Sequence, residues 1–263
     1  VIIVHISDFH VDLRVQTSTG IVDTRERLRQ AVARVNGLRP APDVVLVTGD
    51  LVNDGTPTQY AFVKKSLSTL TMPCYVIPGN HDDRETMRRT FADQGYFGSE
   101  SNFLHYVVDG YPLRLVALDT LIPGQDQGEL CARRLAWLQA CLSEAPDSPT
   151  LIFMHHPPFV TGIPTFDMIG LRGAPAMAAL IARHSQIAGV ICGHVHRSLH
   201  TKWCGTVACT TASTSFQYPL DIDTSGALEP LDEPPTGRIY KWDQHTGLVA
   251  HTFYIAGGGY PLV

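Results

Sequence analysis

Several features that would classify a chain at once are scarce or missing here. Six cysteines in 263 residues, none in a CxxC pair, exclude a disulfide scaffold and a cysteine zinc knot, so buried reduced thiols are expected. No apolar run approaches the roughly 20 residues of a membrane-spanning helix, and no membrane partner is expected. Lys and Arg are outnumbered, 20 against 25 acidic residues, and form no basic run; a nucleic-acid polymer as partner is not expected. A net charge of only −5 with 44% hydrophobic residues excludes disorder as the dominant state. An apolar strand starts at Val1, so no leader is read and a cytoplasmic location is expected.

What is present is enough length for one substantial α/β core. Val1–Ile6 is a continuous β-branched run that reads as a buried parallel strand, broken by the polar Ser7–His10. Asp23 with Glu26 opens a helix carrying Leu28, Ala31, Val32, Val35 and Leu38 at helical spacing, stopped by Gly37 and Pro40. Asp43–Thr48 and Cys74–Ile77 read as further strands, with a helix between them opened by Thr56, Pro57 and Gln59. This alternation predicts a parallel sheet with crossover helices. Beyond Phe91, a hairpin is expected at Phe103–Val108 and Leu113–Leu118, and a helix through Leu135, Leu138 and Leu142. Strands follow at Thr150–Met154 and Ile187–Cys192, with a helix at Ala174–His184 between them. Leu199–Cys204 and Thr206–Thr211 read as strands of a second sheet, and Arg238–Trp242 with Leu248–Ile255 as a closing hairpin.

The twelve histidines matter through their places. Five polar clusters end predicted strands: Asp8-Phe9-His10, Gly49-Asp50, Gly79-Asn80-His81, His155-His156 and Gly193-His194-Val195-His196. Each alone is an ordinary turn or a core histidine. Together, at the carboxyl ends of strands in an open α/β fold, they would converge on one site. Asp, His and Asn donors without thiolate suit zinc, manganese, iron or cobalt. Asp50 is the natural bridge, since one carboxylate can serve two ions. Two divalent ions less the charges of Asp8, Asp50 and a bridging hydroxide leave about one positive charge, which matches a phosphodiester monoanion.

This series resembles the calcineurin-like metallophosphoesterase superfamily. Within it, GDLVNDG, GNHDD, FMHHPP and GHVH are similar to the bacterial cyclic-nucleotide phosphodiesterases and binuclear glycerophosphodiesterases. The resemblance spans roughly Val1 to Thr211. It implies a four-layer αββα sandwich and two metal ions. One would be held by Asp8, His10, Asp50 and His196, the other by Asp50, Asn80, His155 and His194. His81 would lie near the leaving oxygen as an outer-sphere residue, and it is the candidate proton donor. The expected catalytic set is therefore His81, Asn80 and Asp50. The implied reaction is hydrolysis of small phosphodiesters, with a metal-bridging hydroxide attacking phosphorus in line. The alternatives are a phosphomonoesterase or nucleotide pyrophosphatase, and a scaffold that has lost catalysis. Where phosphoprotein phosphatases carry an arginine clamp for a dianion, this chain has Asp54, which points toward diesters.

His156 and Asp82 are expected to support the site rather than bind metal, and Asp83 and Asp119 could orient ligands or serve as turn caps. His5, His105, His184, His200, His245 and His251 are read as structural. Phe216, Tyr218, Tyr240, Trp242 and Tyr254 are read as core packing, with the cleft wall as the alternative. Residues 1–215 are read as the catalytic part and 216–263 as a C-terminal cap and oligomerisation appendage of the same domain. Within it, Pro219–Pro235 is a long loop with four prolines and five acidic residues, expected to overhang the cleft in a homo-oligomer, a dimer or higher.

Overall fold

Alternation along the first strands decides the architecture. In Ile2–Ile6 and Val44–Val47, successive side chains leave opposite faces of the sheet. Val4, Ile6, Val45 and Val47 pack with Leu28, Val35, Tyr60 and Val63 of two helices. Ile3, Val44 and Leu46 pack instead with Val116, Ile152 and Ile191 of another sheet. A strand run that is apolar on both faces is what such double coverage requires. The result, in a computed structural model that describes residues 1–17, 20–97, 102–222 and 228–256, is helices, sheet, sheet, helices: the four layers expected.

The first sheet has five strands in the order Gly247–Tyr254, Thr236–Asp243, Ile2–Ile6, Val44–Val47, Cys74–Val76. Its last three are parallel, and Thr236–Asp243 runs antiparallel beside Ile2–Ile6 with Val4 opposite Ile239. The closing hairpin thus adds two strands to this sheet. The second sheet has six strands in the order His200–Trp203, Thr206–Thr210, Ile187–Cys192, Thr150–Met154, Arg114–Leu118, Tyr106–Val108. Its middle four are parallel, and an antiparallel strand closes each edge. Thr24–Asn36 and Pro57–Leu67 cover the first sheet, and Ala132–Glu144 and Ala174–Ile181 the second. The helix starts are those the caps dictate: Asp23 accepts from the Glu26 N–H, and Thr56 with Gln59 forms a capping box ahead of Pro57.

Ala174–Ile181 ends three residues short of the expected His184. Hairpin Arg14–Thr17 with Gly20–Asp23, helix Arg84–Thr90 and the two-residue pairing of Gly128–Glu129 with Leu171–Arg172 have no counterpart in the sequence reading. The six cysteines are free, and no helix among the described residues is long and apolar enough to cross a membrane. His5 lies buried between the sheets, with Nε2 2.8 Å from the Thr48 hydroxyl, and burial followed by Arg238 pushes its pKa down to about 3. It is a structural, neutral histidine. Every cluster singled out in the sequence follows the carboxyl end of a parallel strand, three in the first sheet and two in the second.

Candidate metal centre

Asp8, His10, Asp50, Asn80, His155, His194 and His196 meet at this end of the sandwich. His10 Nε2 lies 3.0 Å from His196 Nε2, and Asp8 Oδ1 is 3.6 Å from the same nitrogen. On the other side, Asn80 Oδ1 lies 3.0 Å from His155 Nε2 and 3.1 Å from His194 Nδ1. One atom is common to the two groups: Asp50 Oδ2, 3.5 Å from His10 Nε2 and 3.4 Å from His155 Nε2. Asp50 Oδ1 is occupied by the His81 backbone N–H at 2.9 Å. Of the Asp50 carboxylate, then, Oδ2 is the oxygen that faces both groups.

The backbone explains how seven side chains can be aimed at so small a volume. Asp8, His10, Asp50, His194 and His196 all have positive φ, between 44° and 73°. That region is uncommon for residues with a Cβ, and each such residue costs of order 1–3 kcal/mol. Interlocking hydrogen bonds hold them there. Gly49 and Asp50 carbonyls accept from the Asp8 and His10 N–H groups at 3.1 and 3.0 Å, and the His194 N–H donates to Asp8 Oδ1 at 3.1 Å. The Ser213 and Ser215 hydroxyls donate to the carbonyls of Asp8 and Phe9 at 2.7 and 2.6 Å. The glycines act mainly by close approach: a Cβ on Gly193 would lie 2.2 Å from Ser7 Oγ, and one on Gly79 2.2 Å from Asp50 Oδ1.

Three of the four histidines spend one ring nitrogen on a backbone carbonyl. His155 Nδ1 faces Thr48 O at 2.6 Å, His196 Nδ1 faces Phe216 O at 2.8 Å, and His194 Nε2 faces Ile169 O at 3.2 Å. A carbonyl only accepts, so those nitrogens carry the hydrogen and the opposite ones present bare lone pairs to the cluster. Bare nitrogens, an amide oxygen and carboxylates facing one another within hydrogen-bond distance need a positive charge among them. Burial would pull His155 down, but the adjoining Asp50 outweighs it and raises the pKa to about 9. Burial would raise Asp50, yet His155 and then His10 hold it well below the usual carboxylate range. Burial foremost raises Asp8 and pushes His194 and His196 down to about 3. His10 is also pushed down, and its buried Nδ1 has no partner. A cation takes the protons' place in such a set, and the residues present fit one on each side of Asp50.

The supporting residues sort themselves by their partners. His156 sends Nε2 to the Asp126 carbonyl at 3.0 Å and Nδ1 to the Thr120 hydroxyl at 2.8 Å, so neither nitrogen is left for an ion; its ring buttresses His155 and His194. Asp82 accepts from the N–H groups of Leu51 and Gly79 and from the Tyr60 hydroxyl, tying the Asp50 loop to the Asn80 loop rather than orienting a histidine. Asp83 caps the helix Arg84–Thr90, and Asp119 is held by Arg84. His81 gives Nδ1 to the Asn53 carbonyl at 3.1 Å and lines the cavity.

That cavity, of about 160 Å³, is also lined by Asp126, Phe166, Ile169, Tyr218 and Leu228. Tyr218 and Phe216 pack on His196, but only Tyr218 of the five aromatic residues read as core lines the cavity; Phe216, Tyr240 and Trp242 are core, and Tyr254 is exposed. Asp54 is exposed, hydrogen-bonded to Asn53 and Gln59, and does not line the cavity. The inference drawn from its charge is not carried by its position. Leu228 belongs to the long loop, whose residues 223–227 lie outside the described ones. Its remainder is pinned by Arg27 to Asp232, by Arg197 to Glu233, and by mutual backbone bonds of Gln217 and Leu231.

With this geometry the chain belongs to the calcineurin-like phosphoesterase family, whose model matches residues 2–198. It is 37% identical to a probable glycerophosphodiester phosphodiesterase, GpdQ, of Arcobacter nitrofigilis, over 99% of this chain and 96% of that one. It is 28% identical to the 3',5'-cyclic adenosine monophosphate phosphodiesterase CpdA of Escherichia coli, over 82% and 77%. A dimetal phosphatase from Danio rerio shares the fold with a TM-score of 0.68 at 17% identity, covering 97% of this chain and 99% of that one.

Asn80 touches only the His155 and His194 side. Asn80→Ala should therefore lower bound manganese from about two ions per chain to about one, measured by elemental analysis after gel filtration. An unchanged metal content would show that the Asn80 oxygen is not a ligand.

Proposed function

We propose that the chain is a two-metal hydrolase of small phosphodiesters, with glycerophosphodiesters and cyclic nucleotides as the substrate classes. Asp8, His10, Asp50 and His196 would hold one ion, and Asp50, Asn80, His155 and His194 the other. Nitrogen and oxygen donors of this kind suit iron, manganese, zinc or cobalt. The observation that carries the reading is the single oxygen, Asp50 Oδ2, standing between two sets of bare donors at the wall of a small cavity. The names of the similar proteins support the choice of diesters.

When bound, two such ions supply Lewis acidity to the phosphoryl group and acidify water to a nucleophile. The chain's own residues do the rest. Asp8 and Asp50 remove part of the positive charge, so that a monoanion is bound without being trapped. The Asn53 carbonyl fixes the His81 ring through Nδ1–H, so that the imidazolium form would carry a second hydrogen on Nε2 to give to the departing alkoxide. Phe166, Tyr218 and Leu228 restrict water on the remaining side.

The test is hydrolysis of bis(p-nitrophenyl) phosphate against p-nitrophenyl phosphate, with and without added manganese. Diester activity that exceeds monoester activity and depends on metal is expected; the reverse preference would favour a phosphomonoesterase. In the same assay His81→Ala should keep both ions. It should lower kcat by roughly 10²–10⁴ for alkyl diesters, whose leaving group needs a proton, and much less for nitrophenyl esters. Equal losses on both would remove His81 from the proton-donor role.

A homo-oligomer completes the proposal. Gly247–Tyr254 is an outer strand of the first sheet with Val249 and Tyr254 exposed and no Lys or Pro to block pairing. Light scattering should report a dimer or larger, and a monomer at assay concentration would contradict it.

A further inference from the structure

We propose that the Asp126 carboxylate is the specificity determinant for substrate charge, disfavouring dianionic phosphomonoesters against monoanionic diesters. This rests on the reading above and assigns a role to a residue outside the donor set. Apart from the donors and His81, the described residues lining the cavity are Phe166, Ile169, Tyr218, Leu228 and the solvent-exposed Asp126. Asp126 is the charged one, and no Lys or Arg is among them. The neighbouring cations are engaged elsewhere: Arg197 makes a two-pronged pair with Glu233, and Arg84 another with Asp119.

Its place is fixed by the site itself. The Asp126 carbonyl accepts from His156 Nε2 at 3.0 Å, and two residues on, Gly128 lies so close to the His156 ring that a Cβ there would be 2.3 Å from Nδ1. A fixed charge acts on a ligand in proportion to the ligand's own charge. If Asp126 weakens a monoanion by some factor, it weakens a dianion by about the square of that factor.

Asp126→Asn keeps the shape and removes the charge. On the manganese-loaded protein, calorimetry with dimethyl phosphate and with inorganic phosphate, at a pH where the latter is dianionic, reads the effect directly. Dimethyl phosphate should bind about threefold more tightly in the variant and phosphate about tenfold, with the difference shrinking at high salt. The ratio of kcat/KM for bis(p-nitrophenyl) phosphate over p-nitrophenyl phosphate should fall about threefold in parallel. Asp54→Asn, whose carboxylate is turned to Gln59, should leave that ratio alone. Equal shifts for both ligands, no shift, or the same change in Asp54→Asn would overturn the proposal. Loss of metal in Asp126→Asn would overturn it too, by showing that the residue acts through His156. A wild type that cleaves no diester would sink the phosphodiesterase reading, whereas the two binding ratios would still decide the role of Asp126.

Discussion

The whole site turns on one crowded oxygen. Asp50 Oδ2 sits within 3.5 Å of ring nitrogens on both sides, and that of His155 presents a lone pair because its other ring nitrogen is bound to the Thr48 carbonyl. Such a cluster repels itself unless positive charge fills it. Protons can do so in part: against the effect of burial, Asp50 raises His155 to about 9. Two cations would do so fully, turning a liability of folding into a binding site.

Holding that cluster together has a structural cost, and the fold shows where it is met. Five donor residues adopt left-handed backbone conformations, at of order 1–3 kcal/mol each. The loops carrying them are bonded to one another rather than to solvent: Asp8 to Gly49, His10 to Asp50, His194 to Asp8. Ser213 and Ser215 close the first loop from behind. Beneath them, two sheets buried on both faces give a base too densely packed to relax the strain. Stability in the sandwich is thus converted into positional precision at its edge.

Much of this was legible in the sequence. The β-branched runs, the two helix caps and the polar clusters at strand ends lead to a parallel sheet with crossover helices and to one convergent site, because period and turn chemistry are local, whereas the four layers and the seven-residue set came with the resemblance to the family. What was not legible depends on contacts between distant segments. The closing hairpin was readable as a hairpin, but not its place beside Ile2–Ile6, which is set by pairing across the whole chain. Gly193 stands in a tight turn whose positive φ falls on His194 beside it, and both Gly79 and Gly193 are needed for close approach. Asp54 was read as facing substrate by motif position; Gln59 in the next helix turns it away, and Asp126, in a loop with no motif, lines the cavity instead. Tyr218 looked like core because aromatic residues generally are, and only its packing on His196 at the cavity reveals the wall.

The most direct test of the shared oxygen is metal stoichiometry in two carboxylate variants compared side by side. Asp50→Ala removes the atom common to both donor sets, whereas Asp8→Ala removes a ligand from the His10 and His196 side. Elemental analysis, supported by anomalous scattering from crystals grown with manganese, should find Asp50→Ala nearly empty and Asp8→Ala with about one ion per chain. A folded Asp50→Ala protein that kept both ions would contradict the account at its centre.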